Sequence, residues 1–183
     1  MATMQTLVGL TAEEFAQLDL RGRHELVRGV VIEMSFPKPR HALVESRITF
    51  RLMQFAESAK TGYVLHTGYV VERGPDTVRG PDVAFIDTSR LASEGDLDRY
   101  VEGAPDLAVE ILSPTNRAGE IARKVREYLA AGARLVWVVD TRRRIVTVHI
   151  PGVGPSRVAE GEVLDGGDVL PGFTMPVADI FAL

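Results

Sequence analysis

The sequence predicts an α/β domain in which mixed strands alternate with two long helices, and three observations carry that expectation. His41, Val44, Ile48, Leu52 and Phe55 recur at helical spacing, which marks an amphipathic helix over residues 41–59. Ala118, Ile121, Val125 and Tyr128 or Leu129 repeat the pattern in a second helix that ends near Gly132. Leu135 to Asp140 is a nearly unbroken apolar run, as expected for a strand at the centre of a sheet.

The other elements follow in chain order. Thr11 with Glu14 three positions on reads as a capping box, opening a short helix whose apolar contacts are Phe15 and Leu18. Two short strands, His24–Val27 and Val30–Met34, are joined at Arg28-Gly29, and Pro37 and Pro39 end that hairpin. After the first long helix come β-rich runs at Tyr63–Val71, Asp82–Ile86 and Asp106–Leu112. An acidic, loop-like segment from Ser89 to Gly103 separates the last two. Arg144–Ile150 alternates and pairs with Leu135–Asp140 through an arginine-rich turn, and the Gly- and Pro-rich remainder reads as short edge strands. No linker, repeat or low-complexity tract divides the chain, so one domain over residues 1–183 is expected.

Composition removes whole classes of function. Apolar residues make up 45% and charged residues 25% of the 183, the mix of a soluble globular protein and not of a disordered, collagenous or membrane-spanning one. Without cysteine there is no disulfide, thiolate metal site or cysteine nucleophile. His24, His41, His66 and His149 never fall at zinc-like spacing, which argues against a zinc enzyme. Met1 to Leu10 lacks the charged start and apolar core of an export signal, so a cytoplasmic location is expected. Net charge is −4, but its distribution is uneven. From Arg117 to Arg144, eight basic residues against three acids give +5, leaving −9 for everything else. That stretch is either a basic face for phosphate or a solvated helix face followed by a charged turn.

Pro-Asp occurs three times, at Asp76, Asp82 and Asp106. Alternation puts Asp106 and Glu110 on one face of their strand but roughly 13 Å apart, too far to share one ion. Asp82 opens a different strand. If that strand is an in-register neighbour, Asp82 and Glu110 converge on one divalent cation. Asp76 sits among glycines and prolines with no apolar strand after it, so Asp82 is the better candidate. Glu110 in the apolar run Leu107–Leu112 needs a cation or hydrogen bonds, because an unpartnered buried carboxylate costs several kcal/mol. Lys124, bordering the stripe of the second helix, is a salt-bridge partner, a site residue, or a lysine that snorkels to solvent.

Ordered motifs then carry a resemblance. Pro81-Asp82, Glu110 and a following lysine look like the PD-(D/E)XK nuclease superfamily. Glu25-Leu26-Val27-Arg28-Gly29, His41, Pro81-Asp82-Val83-Ala84 and Pro105-Asp106-Leu107 resemble the Uma-type restriction endonuclease family. So do Val109-Glu110-Ile111-Leu112-Ser113-Pro114, Lys124 with Tyr128, Val136 to Asp140, and Leu170-Pro171-Gly172-Phe173. The resemblance implies a restriction-endonuclease-like fold: a mixed central β-sheet flanked by helices, here with an N-terminal helix and β-hairpin extension. It also implies a magnesium-type ion (Mg2+ or Mn2+) held by Asp82, Glu110 and the carbonyl of Ile111. The superfamily lysine belongs two positions after the glutamate, where Leu112 stands; Lys124 takes that role in the Uma-type branch.

The expected activity is therefore metal-dependent cleavage of DNA, with Asp82, Glu110 and Lys124 catalytic. Lys124 would orient water or stabilise developing charge. Glu25 and His41 are further catalytic candidates. Glu25 is a third acid near the metal or an exposed strand residue, and His41 is functional or a packed, capped ring. The alternative is a weak or inactive nuclease-fold module that binds nucleic acid or protein. Enzymes that cut both strands often need two sites, which makes a homodimer a candidate arrangement.

Overall fold

The computed structural model describes residues 8–91, 93–114 and 116–182, so most of the stretch read for an export signal lies outside the described residues. Helix α1 (Ala12–Ala16) opens on the expected capping box: Thr11 Oγ1 accepts from the Glu14 amide at 3.1 Å, and the Glu14 carboxylate accepts from the Thr11 amide at 2.9 Å. Strands β1 (Arg23–Val27) and β2 (Val30–Met34) form the expected hairpin. Its two turn residues, Arg28 and Gly29, have φ of 51° and 73°, the left-handed pair that a right-twisted two-residue hairpin requires. Helix α2 (Pro39–Ala59) starts two residues earlier than its apolar stripe, because Pro39 is pre-set for a first helical turn.

The expected run Tyr63–Val71 is two strands, β3 (Gly62–Leu65) and β4 (Tyr69–Glu72), which enter different sheets. Strand β5 (Thr77–Arg79) follows Asp76, where no strand was expected. The order continues β6 (Val83–Asp87), β7 (Val101–Glu102), β8 (Leu107–Ile111), α3 (Ala118–Ala130), β9 (Leu135–Asp140) and β10 (Ile145–His149). Last come β11 (Ser156–Ala159), β12 (Val163–Asp165), β13 (Thr174–Pro176) and α4 (Val177–Phe181). Two short 3-10 turns and β7 break up the acidic segment between β6 and β8.

The central sheet runs β11-β10-β9-β8-β6-β3 and is mixed: β8 and β9 are parallel, with α3 as their crossover, and its other pairs are antiparallel. Strand alternation divides its residues between two cores. Val83, Phe85, Leu107, Val109, Ile111 and Trp137 pack with Val44, Ile48 and Leu52 of α2 and with Ile180 of α4. Ala108, Val136 and Val138 pack on the other side with Ile121, Val125 and Tyr128 of α3. A second sheet, β2-β1-β5-β4-β7, carries its own cluster of Leu26, Val70 and Val78 under α1. Asp76 belongs to that frame. Its carboxylate accepts from the Ala12 amide at 2.8 Å and from Arg73 at 2.7 Å, anchoring α1 to the sheet. Among the described residues no helix is long and apolar enough to cross a membrane.

Candidate active site

Register decides which aspartate meets Glu110. Strands β6 and β8 are antiparallel neighbours with Val83 opposite Val109 and Ala84 opposite Ala108. One step further puts Asp82 opposite Glu110, and the Asp82 amide donates to the Val109 carbonyl at 3.0 Å. Glu110 projects to the α3 side of the sheet, and Asp82, just before β6, stands at the strand end, where both carboxylates border one cleft. Asp82 Oδ2 accepts from the Ile111 amide at 2.7 Å, which fixes its carboxylate against the end of β8. Asp106 points elsewhere: it accepts from the Asp87 amide at 2.9 Å and from Arg90 at 3.4 Å, a structural tie at the other end of the strand.

Glu110 is buried and fully engaged with α3. Tyr128 Oη donates to its Oε1 at 2.6 Å, and Lys124 Nζ lies 3.2 Å from both oxygens. Lys124 and Tyr128 stand four residues apart, so one helical face presents both to the same carboxylate. Lys124 does not snorkel: only 3% exposed, it also donates to Glu25 Oε1 at 2.9 Å and so links the two sheets. The alternative of Glu25 as an exposed strand residue is likewise overturned, since it is 3% exposed. Its second oxygen takes Arg79 Nη1 at 2.6 Å, and Arg79 Nε reaches Glu127 at 2.7 Å. Leu112 packs against the α3 core and presents no amine to the site.

A second helix reaches Asp82 from the opposite side. His41, in the first turn of α2, places Nε2 3.2 Å from Asp82 Oδ2 and Nδ1 3.6 Å from Glu45 Oε2. Glu45 in turn lies 3.4 Å from His66 Nδ1. Glu45 and His66 were missed by sequence reasoning. For Glu45 the available signal was its i+4 spacing from His41; His66 had none, because only the loop between β3 and β4 brings it near.

The electrostatics follow from who partners whom. Burial pushes the Glu110 carboxyl up to about 7; the nearby Asp82 and Glu25 charges reinforce this, and Lys124 and Tyr128 oppose it. Glu25 is as deeply placed, yet Lys124 and Arg79 together outweigh its burial and hold it below the usual carboxylate range. Burial alone would depress His41, but its bonds to Asp82 and Glu45 prevail and raise it to about 9. Asp82 is correspondingly held low, His41 outweighing its own burial. His41 thus stabilises the fold fully below its ordinary 6.5, and that contribution is lost as pH rises through about 9. Thermal melting of wild type and His41→Gln in metal-free buffer across that window should show the wild-type advantage, about 2 kcal/mol or less, fading upward. An advantage independent of pH would mean that His41 stabilises by packing alone.

Asp82, Glu110, Ile111 and Lys124 line one cleft of about 210 Å³, together with Arg23, Lys38 and His41. Glu25 lies behind it, reached through Lys124. The donor set fits a hard cation. Two carboxylates offer oxygens, and each carboxylate has about four lone-pair sites, more than its protein donors use. A second grouping shares Asp82: ligand atoms of His41, Glu45 and Asp82 all lie within 4.8 Å of one another. That set includes a nitrogen and would also suit manganese or another transition ion.

Comparisons with known proteins agree with this architecture. The chain resembles a solved structure from Anabaena variabilis, described as a putative nuclease belonging to DUF820, with a TM-score of 0.81 and 19% identity. The match covers 94% of this chain and 97% of that one, which establishes the restriction-endonuclease-like fold. No curated protein matches in sequence. The model of the Uma2 family, described as putative restriction endonuclease, matches residues 12–178. That span takes in both sheets, the cleft and α3, and by it the chain belongs to the Uma2 family.

Proposed function

We propose that this protein is a metal-dependent endonuclease that hydrolyses phosphodiester bonds of DNA in the cleft between α2 and α3. One observation carries the reading: two carboxylates from adjacent strands, Asp82 and Glu110, face one cleft beside the ammonium of Lys124. Asp82 and Glu110, with the carbonyl of Ile111, would hold a magnesium or manganese ion. Such an ion, when bound, supplies an acidified water and neutralises charge on the phosphate. Lys124 holds Glu110 in place and adds positive charge to the cleft, Glu25 and Tyr128 hold Lys124 and Glu110 in turn, and His41 orients Asp82. Arg23 and Lys38, which also line the cleft, would meet the substrate's backbone.

Incubating plasmid DNA with the purified protein and magnesium or manganese tests the reading. Nicking that requires the divalent ion is expected. The alternative, a non-catalytic binding module, has one observation in its favour: the contacts of Lys124 Nζ are to Glu25 and Glu110, as in a structural salt bridge. Binding without nicking on any DNA or RNA would select it.

The basic stretch is less free than its count implies. Lys124 is buried, Arg143 pairs with Asp140 at 3.5 Å, Arg123 approaches Glu127 at 3.8 Å, and Arg144 bonds Glu160. The Arg142–Arg144 turn nevertheless sits at the end of the sheet where β8 runs into the cleft, since Thr141 bonds the Leu112 carbonyl. Replacing the three arginines by alanine should weaken DNA binding for every sequence and lower the salt slope by about one to two. An unchanged dissociation constant and slope would assign the turn to solvated surface.

A further inference from the structure

A pocket larger than the cleft adjoins it. Of about 650 Å³, it lies on the other side of Arg23 and Gly80, which line both spaces. That volume is in the range of small-molecule sites, roughly 300–1,000 Å³. Its walls differ in kind from the cleft. Phe15 and Tyr100 form an aromatic side, with ring centroids 5.8 Å apart and planes tilted by 31°, and Leu18 extends it. His24, His66 and Thr67 contribute polar groups, and His24 Nδ1 is buried without a hydrogen-bond partner among the described residues.

Gly68 shows how the aromatic side is seated. A Cβ there would stand 2.5 Å from Tyr100 Cδ1 and 2.9 Å from Val78 Cγ1, so the ring rests directly on the loop backbone. Any larger residue would push Tyr100 away. Arg23 stands at the junction, its side chain 43% exposed and its guanidinium bonded to Asp82 and the Gly80 carbonyl. A cation between the carboxylate-bearing cleft and an aromatic pocket suits a nucleotide whose phosphate meets the cation and whose base turns into the pocket.

We propose that this pocket holds one unpaired nucleobase of the strand lying in the cleft, stacked on the Tyr100 ring that the buried Phe15 backs, so that the protein engages locally unpaired nucleic acid. The proposal rests on the nuclease reading for the strand's presence but concerns base occupancy and not hydrolysis. Aromatic stacking tolerates any base, since every base has a π-face, and no sequence preference is needed. His24, whose Nδ1 has no partner among the described residues, lines the pocket to meet the polar edge of the base.

Binding separates the two ideas. Affinity would be measured in calcium or EDTA for a fluorescent oligothymidylate of roughly eight nucleotides, a typical single-strand site size. The same length of abasic strand keeps every phosphate and removes every base. Wild type should bind the oligothymidylate about 10-fold or more tightly over the abasic strand, the loss expected for one base–aromatic stack. Tyr100→Leu should erase that preference without changing abasic affinity, and Gly68→Ala should do the same by displacing the ring. Equal affinity of wild type for both strands overturns the proposal and needs no variant, as does failure to bind either. Variants that weaken both strands equally also overturn it. Nicking without base preference would sink the pocket alone, whereas base preference without nicking would sink the cleavage reading alone.

Discussion

Glu110→Gln is expected to abolish divalent-dependent nicking, by on the order of 10²–10³ or more as for loss of one preorganised electrostatic group, while leaving the fold intact. The amide has nearly the volume of the carboxylate and still accepts from Tyr128, which donates at 2.6 Å in the parent. Stability should move in the opposite direction to activity. Burial holds Glu110 at about 7 against an ordinary 4.5, so its contribution is full below 4.5 and is lost as pH rises through about 7. In EDTA the melting temperature of the variant should therefore gain on wild type across that window. Magnesium should raise the melting temperature of wild type and leave the variant unmoved. If Glu110→Gln nicks as well as wild type, Glu110 is a structural residue and the site assignment fails.

Arg79→Met should be the most damaging single change to the fold away from the apolar cores. Arg79 is 1% exposed and bridges Glu25 and Glu127, so a methionine of similar length would leave the deeply buried Glu25 to Lys124 and Glu127 to Arg123, each carboxylate short of one cation. Removing one partner of a buried ion pair costs about 3–5 kcal/mol, which for a chain of this size lowers the melting temperature on the order of 10 °C. Glu25 is held low in the parent, and its stabilisation is present above the ordinary 4.5 and lost below it. The cost of Arg79→Met should therefore shrink as pH falls below that value, because the under-partnered acids then protonate. Adding Glu25→Gln and Glu127→Gln should restore most of the loss at neutral pH, a coupling that urea midpoints would measure. A simple sum of the separate effects would mean that Arg79 acts through its stem alone.

These two residues show how unevenly the site could be read. Glu110 was legible because a carboxylate in an apolar strand is an exception that demands a partner. Arg79 was not, because Thr77–Arg79 is too short to read as a strand, and an arginine before Gly80 looks like a turn residue. Asp82 was chosen over Asp76 and Asp106 on strand position. The hairpin and α3 announced themselves by turn chemistry and period. The run Tyr63–Val71 misled, since its β-forming composition is uniform across the loop that sends β3 and β4 into separate sheets.

What the sequence by itself determined is local: the capping box at Thr11, the left-handed turn at Gly29, the helical stripes of α2 and α3, and the alternation that sets Glu110 on the opposite face from Val109. Each depends on neighbours within one turn of helix or one hairpin. Tertiary structure alone decided that Asp82 stands opposite Glu110, that Lys124 turns inward between Glu110 and Glu25, and that His41 reaches Asp82 from another helix. These contacts join residues up to 99 positions apart. A charged side chain prefers water, and it is buried only where a partner compensates its lost hydration. Whether it is solvated or paired depends on which opposite charge the packing of distant elements brings within reach.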